Sequence, residues 1–155
     1  MHARYALETG LLAGAKEWAD GQVAAMQRSK FKYDLLEVFA SPVEIRIRLW
    51  SKGLATSAEI KEASQILKSY ARKYPFARAR SLRCEGASKW LSGNKRAAQS
   101  LWQKSIAQAD KLSMPLEKAL TLELIGQFTA DEAALAQAQL IRAELAALDN
   151  QPVGD

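Results

Sequence analysis

The chain has one cysteine, Cys84, and one histidine, His2. A single cysteine excludes an internal disulfide, and one thiol with one imidazole leaves no spaced set of soft ligands for zinc. The same scarcity removes the base that a serine or cysteine nucleophile needs, so no hydrolytic triad is expected. No apolar run approaches the roughly 20 residues of a membrane span, and no basic flank precedes a hydrophobic stretch at the N-terminus. The sequence thus predicts neither a span nor a leader, and a cytoplasmic location is expected. The segment from Gly10 to Glu17 has glycines and Lys16, but Glu17 stands where a phosphate-binding loop needs a hydroxyl. Carboxylate pairs such as Asp131 with Glu132, or Glu117 with Glu123, read as helix N-terminal preference and solvation. Neither an enzyme activity nor a metal or cofactor is expected.

What is present is helical periodicity. With 155 residues, 48% apolar and 25% charged, the chain suits one globular domain. The stretch from Gly86 to Pro115 carries the clearest pattern. Leu82, Gly86, Trp90 and Leu91 recur at helical spacing, and Gly93 ends that helix where a left-handed residue is needed. Ala97, Ala98, Leu101, Trp102, Ser105, Ile106 and Ala109 then repeat at three and four, and Pro115 opens the next helix.

The same marks return along the chain. Trp50 and Gly53 precede Trp90 and Gly93 by 40 residues, Pro75 precedes Pro115 by 40, and Gly86 precedes Gly126 by 40. Gly14, Ala15, Trp18 and Gly21 match Gly86, Ala87, Trp90 and Gly93 at a displacement of 72. Recurrence on this scale indicates stacked supersecondary units, none of which buries its apolar face alone. The expected fold is all-α, a right-handed stack of about four antiparallel helical hairpins over residues 3–149, at about 3–39, 42–73, 75–112 and 115–149, with a polar tail at 150–155. In this reading a first helix closes at Asp20 and Gly21, a second runs from Gln22 to about Phe39, and a third opens at Ser41 and Pro42. Val43, Ile45, Ile47 and Leu49 alternate with Glu44, Arg46 and Arg48 as an edge strand would, but the repeat favours helix. Thr56 with Glu59, and Thr129 with Glu132, have capping-box spacing. Trp18, Trp50 and Trp90 are expected at equivalent inward positions near hairpin turns, and Cys84 as a small core residue.

Gly86, Gly93, Ala98, Trp102 and Ser105, with the proline that follows, resemble the small and large positions of a tetratricopeptide repeat, although the spacing is 40 rather than about 34 residues. The run YPFARARSLRCEGASKWLSGNKRAAQSLWQKSIAQADKLSMPLEKALTLELIG is similar to the C-terminal helical-repeat region of large bacterial signalling ATPases, which join a cyclase or kinase to an ATPase module. The resemblance implies a tetratricopeptide-like α-solenoid without catalytic motifs. Its implied role is a protein-interaction, scaffold or regulatory part of a larger signalling protein, contacting a partner protein or other domains of its parent polypeptide.

Charge is unevenly spread. Residues 60–111 hold 12 Lys or Arg against Glu62, Glu85 and Asp110, whereas residues 112–155 hold Lys118 and Arg142 against seven acids. These read as solvated helix faces that attract one another across the stack. Within the basic stretch Arg72, Arg78, Arg80, Arg83, Lys89 and Arg96 are the candidate partner-contact residues, and the surface around Arg78, Arg80 and Arg83 is the expected contact face for an acidic protein segment. The competing class is a nucleic-acid binder using segment 72–96, which also holds Lys73 and Lys95, but no docking element for a duplex is visible. The segment from about Ala3 to Ala19 has apolar residues on more than one face. Either a preceding helix of a longer array or a second copy, in a homodimer, is expected to cover it.

Overall fold

The computed structural model describes residues 12–28 and 36–149. Within them the protein is all helical, with no strand. Helix α1 spans Leu12–Arg28, α2 Leu36–Ser51, α3 Ser57–Lys73, α4 Arg78–Leu91, α5 Lys95–Lys111, α6 Pro115–Thr129 and α7 Glu132–Asp149, with a 3₁₀ turn at Pro75–Ala77 before α4. The principal contacts all join helices one or two places apart along the chain, and α2, α4 and α6 form a contiguous row.

Local chemistry sets most of the helix ends. Thr56 caps α3, its hydroxyl accepting from the Glu59 N–H at 3.3 Å while the Glu59 carboxylate accepts the Thr56 N–H at 2.6 Å, the expected capping box. Asn94 caps α5 by accepting the Ala97 N–H. Gly53 and Gly93 take φ values of 74° and 85°, and Ser113 takes 51°. Behind each, an N–H reaches back five residues to a helical carbonyl: Leu54 to Leu49, Asn94 to Lys89 and Met114 to Ala109, all at 2.9 Å.

Four expectations are corrected. First, α1 runs unbroken through Asp20 and Gly21, so Gly21 is neither a helix stop nor the counterpart of Gly53 and Gly93, and Trp18 lies mid-helix rather than at a turn. Second, Pro42 does not open a helix; it is buried inside α2, which starts at Leu36. Its missing N–H leaves the Val38 carbonyl without a helical donor, and Val38 is exposed, where water can bond that carbonyl. Third, the cap of α7 is Asp131, whose carboxylate accepts the Ala134 N–H at 3.0 Å. Thr129 ends α6 instead, its hydroxyl bonding back to the Ile125 carbonyl. Fourth, the deeply buried tryptophan is Trp102, whereas Trp18, Trp50 and Trp90 are half-buried. Of the helix expected from Ala3 to Ala19, residues 3–11 lie outside the described residues, as do 29–35 of the expected second helix.

The strand-like alternation in α2 has a helical explanation. Val43 and Ile47, one turn apart, join the core with Phe39, Ile60, Leu67 and Tyr70, whereas Ile45 and Leu49 pack with Ala15 and Ala19 of α1. A helix clamped between two neighbours buries two stripes, and two stripes at a spacing of four, offset by two, read as alternation. Arg46, between them, donates to the Asp20 carboxylate at 2.7 Å and to the Glu59 carbonyl at 2.8 Å, joining α1, α2 and α3.

Further along, Gly86 lets a large side chain of α5 lie directly against α4. A Cβ at that position would lie 2.4 Å from Nε1 of Trp102, which donates to the Arg83 carbonyl at 3.3 Å and stacks on Phe128 of α6 at 6.0 Å. The Ser105 hydroxyl bonds the Ala79 carbonyl at 2.7 Å and Thr121 at 3.0 Å, so buried hydroxyls tie α5 to both α4 and α6. Ala98 is also fully buried on this face of α5. Gly126 serves α6 and α7 as Gly86 serves α4 and α5, since a Cβ there would lie 2.4 Å from Leu135.

Gly86→Ala must displace a fully packed indole and should cost about 1–3 kcal/mol. Gly21→Ala meets no atom within 4 Å in a continuous helix and should gain about 0.5–1 kcal/mol. Urea titration of the two variants checks both signs; destabilisation by Gly21→Ala would restore the helix stop there. A second outcome concerns Glu59, which the Lys16 ammonium at 2.6 Å, then the Thr56 backbone N–H and hydroxyl, hold down to about 2 from an ordinary 4.5. A lowered carboxylate pKa contributes stability that is whole above pH 4.5 and lost as pH falls towards 2. The difference in melting temperature between wild type and Glu59→Gln should therefore be largest near neutral pH and shrink through that window. A gap that stays constant with pH would show that the pairing contributes nothing.

Candidate functional site

Two arginines lie in the row formed by α2, α4 and α6. Arg80 and Arg83 stand one turn apart on α4 and are 5% and 4% exposed. Both reach Glu117 of α6, itself 4% exposed: Arg80 Nε donates to one carboxylate oxygen at 2.8 Å and Arg83 Nη1 to the other at 3.1 Å. On the other side Arg83 Nη2 donates to Glu44 of α2, and Arg80 Nη1 to Glu37, each at 2.5 Å. Burial alone would lower the pKa of the Arg80 guanidinium; the carboxylates of Glu117, Glu44 and Glu37 reverse this and hold it above its ordinary value. Two cations and three carboxylates thus join three helices.

Beside this network lies a cavity of about 240 Å³ between the same helices. Its apolar lining comes from Ile47, Leu120, Leu124 and Phe128, with Cys84 beneath. Glu44, Arg48, Arg83, Glu123 and Gln127 supply the polar lining. Arg48 is exposed, whereas Glu123 is engaged by Arg142 of α7, one contact being 2.8 Å. An apolar cleft with a few polar groups at its edge is the usual form of a site that takes an apolar group in a defined orientation.

The Cys84 thiol is 2% exposed, and burial, reinforced by the nearby Glu44 charge, pushes it up to about 12, so almost none is thiolate near neutral pH. Among the described residues no cluster of His, Cys, Asp or Glu could hold a metal ion.

The candidate contact residues do not form one face. Arg80 and Arg83 point into the interior and are spent on Glu37, Glu44 and Glu117, which corrects the expectation that they present a basic surface. Glu117, expected as a solvated helix-start carboxylate, is buried for the same reason. Arg72 is exposed and bonds the Ser69 hydroxyl; Arg78 is exposed and bonds the Ala71 carbonyl. Lys89 and Arg96 are exposed on α4 and α5. The charge asymmetry does produce attraction between helices, in Arg80 and Arg83 with Glu117, whereas Lys118 with Asp110 at 2.8 Å pairs the minority charge of each stretch. Of the groove residues, Ile47 and Arg48 entered the sequence reading only as part of an alternating run, and none of Ile47, Arg48, Leu120, Leu124 and Phe128 was expected at a binding site. A signal for the buried arginines existed: displaced by 40, Arg80 and Arg83 fall on Ala40 and Val43, both fully buried.

Compared with known proteins, the chain matches no family model, no curated protein and no solved structure.

Glu117→Gln leaves two buried guanidinium groups short of a counter-charge and should cost about 3–5 kcal/mol, whereas Arg72→Ala and Arg96→Ala should each stay within about 0.5 kcal/mol. Denaturant unfolding of the three variants checks this ordering. Equal small losses would return the network to a surface role.

Proposed function

We propose that this chain is a non-catalytic helical-repeat module that binds protein. In this reading it is a tetratricopeptide-like, right-handed stack in which α2–α3, α4–α5 and α6–α7 are successive hairpins and α1 belongs to the unit before them. The stack forms part of a larger bacterial signalling protein, and its ligand is a partner protein or another domain of the parent polypeptide. The observation that carries the reading is the groove over α2, α4 and α6. Its apolar lining, polar edge and fixed walls suit a protein side chain inserted between helices. Principal contacts limited to neighbouring helices, and the recurrent turns behind Gly53 and Gly93, support the stack. The nucleic-acid alternative through segment 72–96 loses support, because Arg80 and Arg83 are already neutralised.

Affinity capture from cells of the native source, with wild type and two groove variants as bait, tests the proposal. Arg48→Glu changes an exposed edge residue, and Leu120→Arg fills the cleft with charge. Both should lose a protein captured by wild type, while Arg48→Glu keeps its melting temperature within a few degrees. A captured set unaffected by either change would contradict the groove as the binding site. Mobility shift of random duplex or single strands that weakens steeply with salt would favour the alternative.

A further inference from the structure

On the far side of α4 from the ion-pair network, a second depression of about 510 Å³ runs between α3 and α4. Its character is opposite to that of the first. Ser57, Ser64, Gln65, Ser81 and Ser88 give it a hydroxyl- and amide-rich lining, and Lys61, Lys68 and Lys89 provide three ammonium groups. Glu85 is the one acid in the lining, and it is taken by Lys68 at 3.3 Å. Lys61 and Lys89 come from opposite helices, are exposed, and make no ion pair among the described residues. The Ser64 hydroxyl lies closed off beneath the depression without a hydrogen-bond partner, an uncommon state that a rotamer change towards a ligand oxygen would relieve.

We propose that this depression binds an extended acidic segment of a protein, with carboxylates at Lys61 and Lys89 and main-chain or side-chain oxygens at the serines. Three ammonium groups against the single carboxylate of Glu85 leave the cleft with an excess of positive charge, and an anion placed beside Lys61 and Lys89 lowers its free energy. Shape narrows the choice of anion. From Ser57 to Lys68 and from Ser81 to the cap residue Ser92 the walls each advance by eleven residue steps, about 16 Å, the span of roughly five extended residues. A cleft between two adjacent helices is too narrow for a duplex, and Trp50 alone offers a ring in the lining, where a single nucleic-acid strand needs successive stacking surfaces. This site shares the protein-binding class proposed above but none of that groove's lining residues.

The test uses the whole chain and a fluorescently labelled hexaglutamate peptide, followed by anisotropy at low and moderate salt, with hexaglutamine as the neutral control. Wild type should bind hexaglutamate and not hexaglutamine. Lys61→Glu with Lys89→Glu should weaken binding at least about tenfold and leave the melting temperature within a few degrees, both sites being exposed. Lys104→Glu with Lys111→Glu, the same charge change on exposed residues of α5, should weaken it less than about twofold. Equal weakening by the two double variants would assign binding to net charge and overturn the site. So would absence of binding at low salt, or tighter binding of a labelled single-stranded oligonucleotide through the same two lysines. Arg48→Glu separates the two proposals: it should abolish capture at the first groove and leave hexaglutamate binding within twofold.

Discussion

Two guanidinium groups inside a helical core are tolerable only if carboxylates reach them from both sides. That requirement fixes the relation of α2, α4 and α6. Arg80 and Arg83 sit on the middle helix, Glu37 and Glu44 on one neighbour and Glu117 on the other, so no pair of these helices can slide without stranding a charge. A buried ion pair adds little stability over an apolar substitute of the same shape, because desolvation offsets the attraction. Its effect here is on register. Apolar packing tolerates a shift of one helix against another, whereas a network of short charge-assisted hydrogen bonds does not. The groove next to it has walls set by the same register.

Around that fixed row the remaining helices are held by contacts of another kind. Between α4 and α5 the absence of a side chain at Gly86 leaves room for the indole of Trp102, and the hydroxyls of Ser105 and Thr121 satisfy one another and backbone carbonyls in the interior. At the other end, Arg46 and Lys16 tie α1 to α2 and α3 through Asp20 and Glu59. The charged contacts of both ends converge on helix surfaces that face a neighbour. The acids and bases left over face water or line the depression between α3 and α4.

Helix class and several turns were legible in the sequence because they depend on nearby residues. Thr56 with Glu59, Gly53 and Gly93 act within one turn of chain, and the structure has them as the spacing predicts. Gly86 and Gly126 were legible as a pair through the 40-residue period, though only the structure gives each its opposing side chain. The failures at Gly21 and Pro42 share one cause. Both residues are helix breakers by intrinsic preference, and here packing on both sides of α2 and an unbroken α1 outweigh that preference. The buried arginines were misread because charge was counted by segment rather than placed on the repeat register, where positions 40 and 43 are apolar. The groove could not be read at all from one chain position at a time, since Ile47, Leu120 and Phe128 meet only through the side-by-side placement of helices far apart in sequence.

The charges on α4 and α6 act as a coupled unit that sets helix register. A double-mutant cycle on Arg83 and Glu117, with each replaced by Met alone and both together, measures that coupling by denaturant unfolding. Each single change should cost several kcal/mol while the double change costs far less than their sum, giving an interaction energy of about 2–3 kcal/mol. Additive losses, with an interaction energy below about 0.5 kcal/mol, would contradict it.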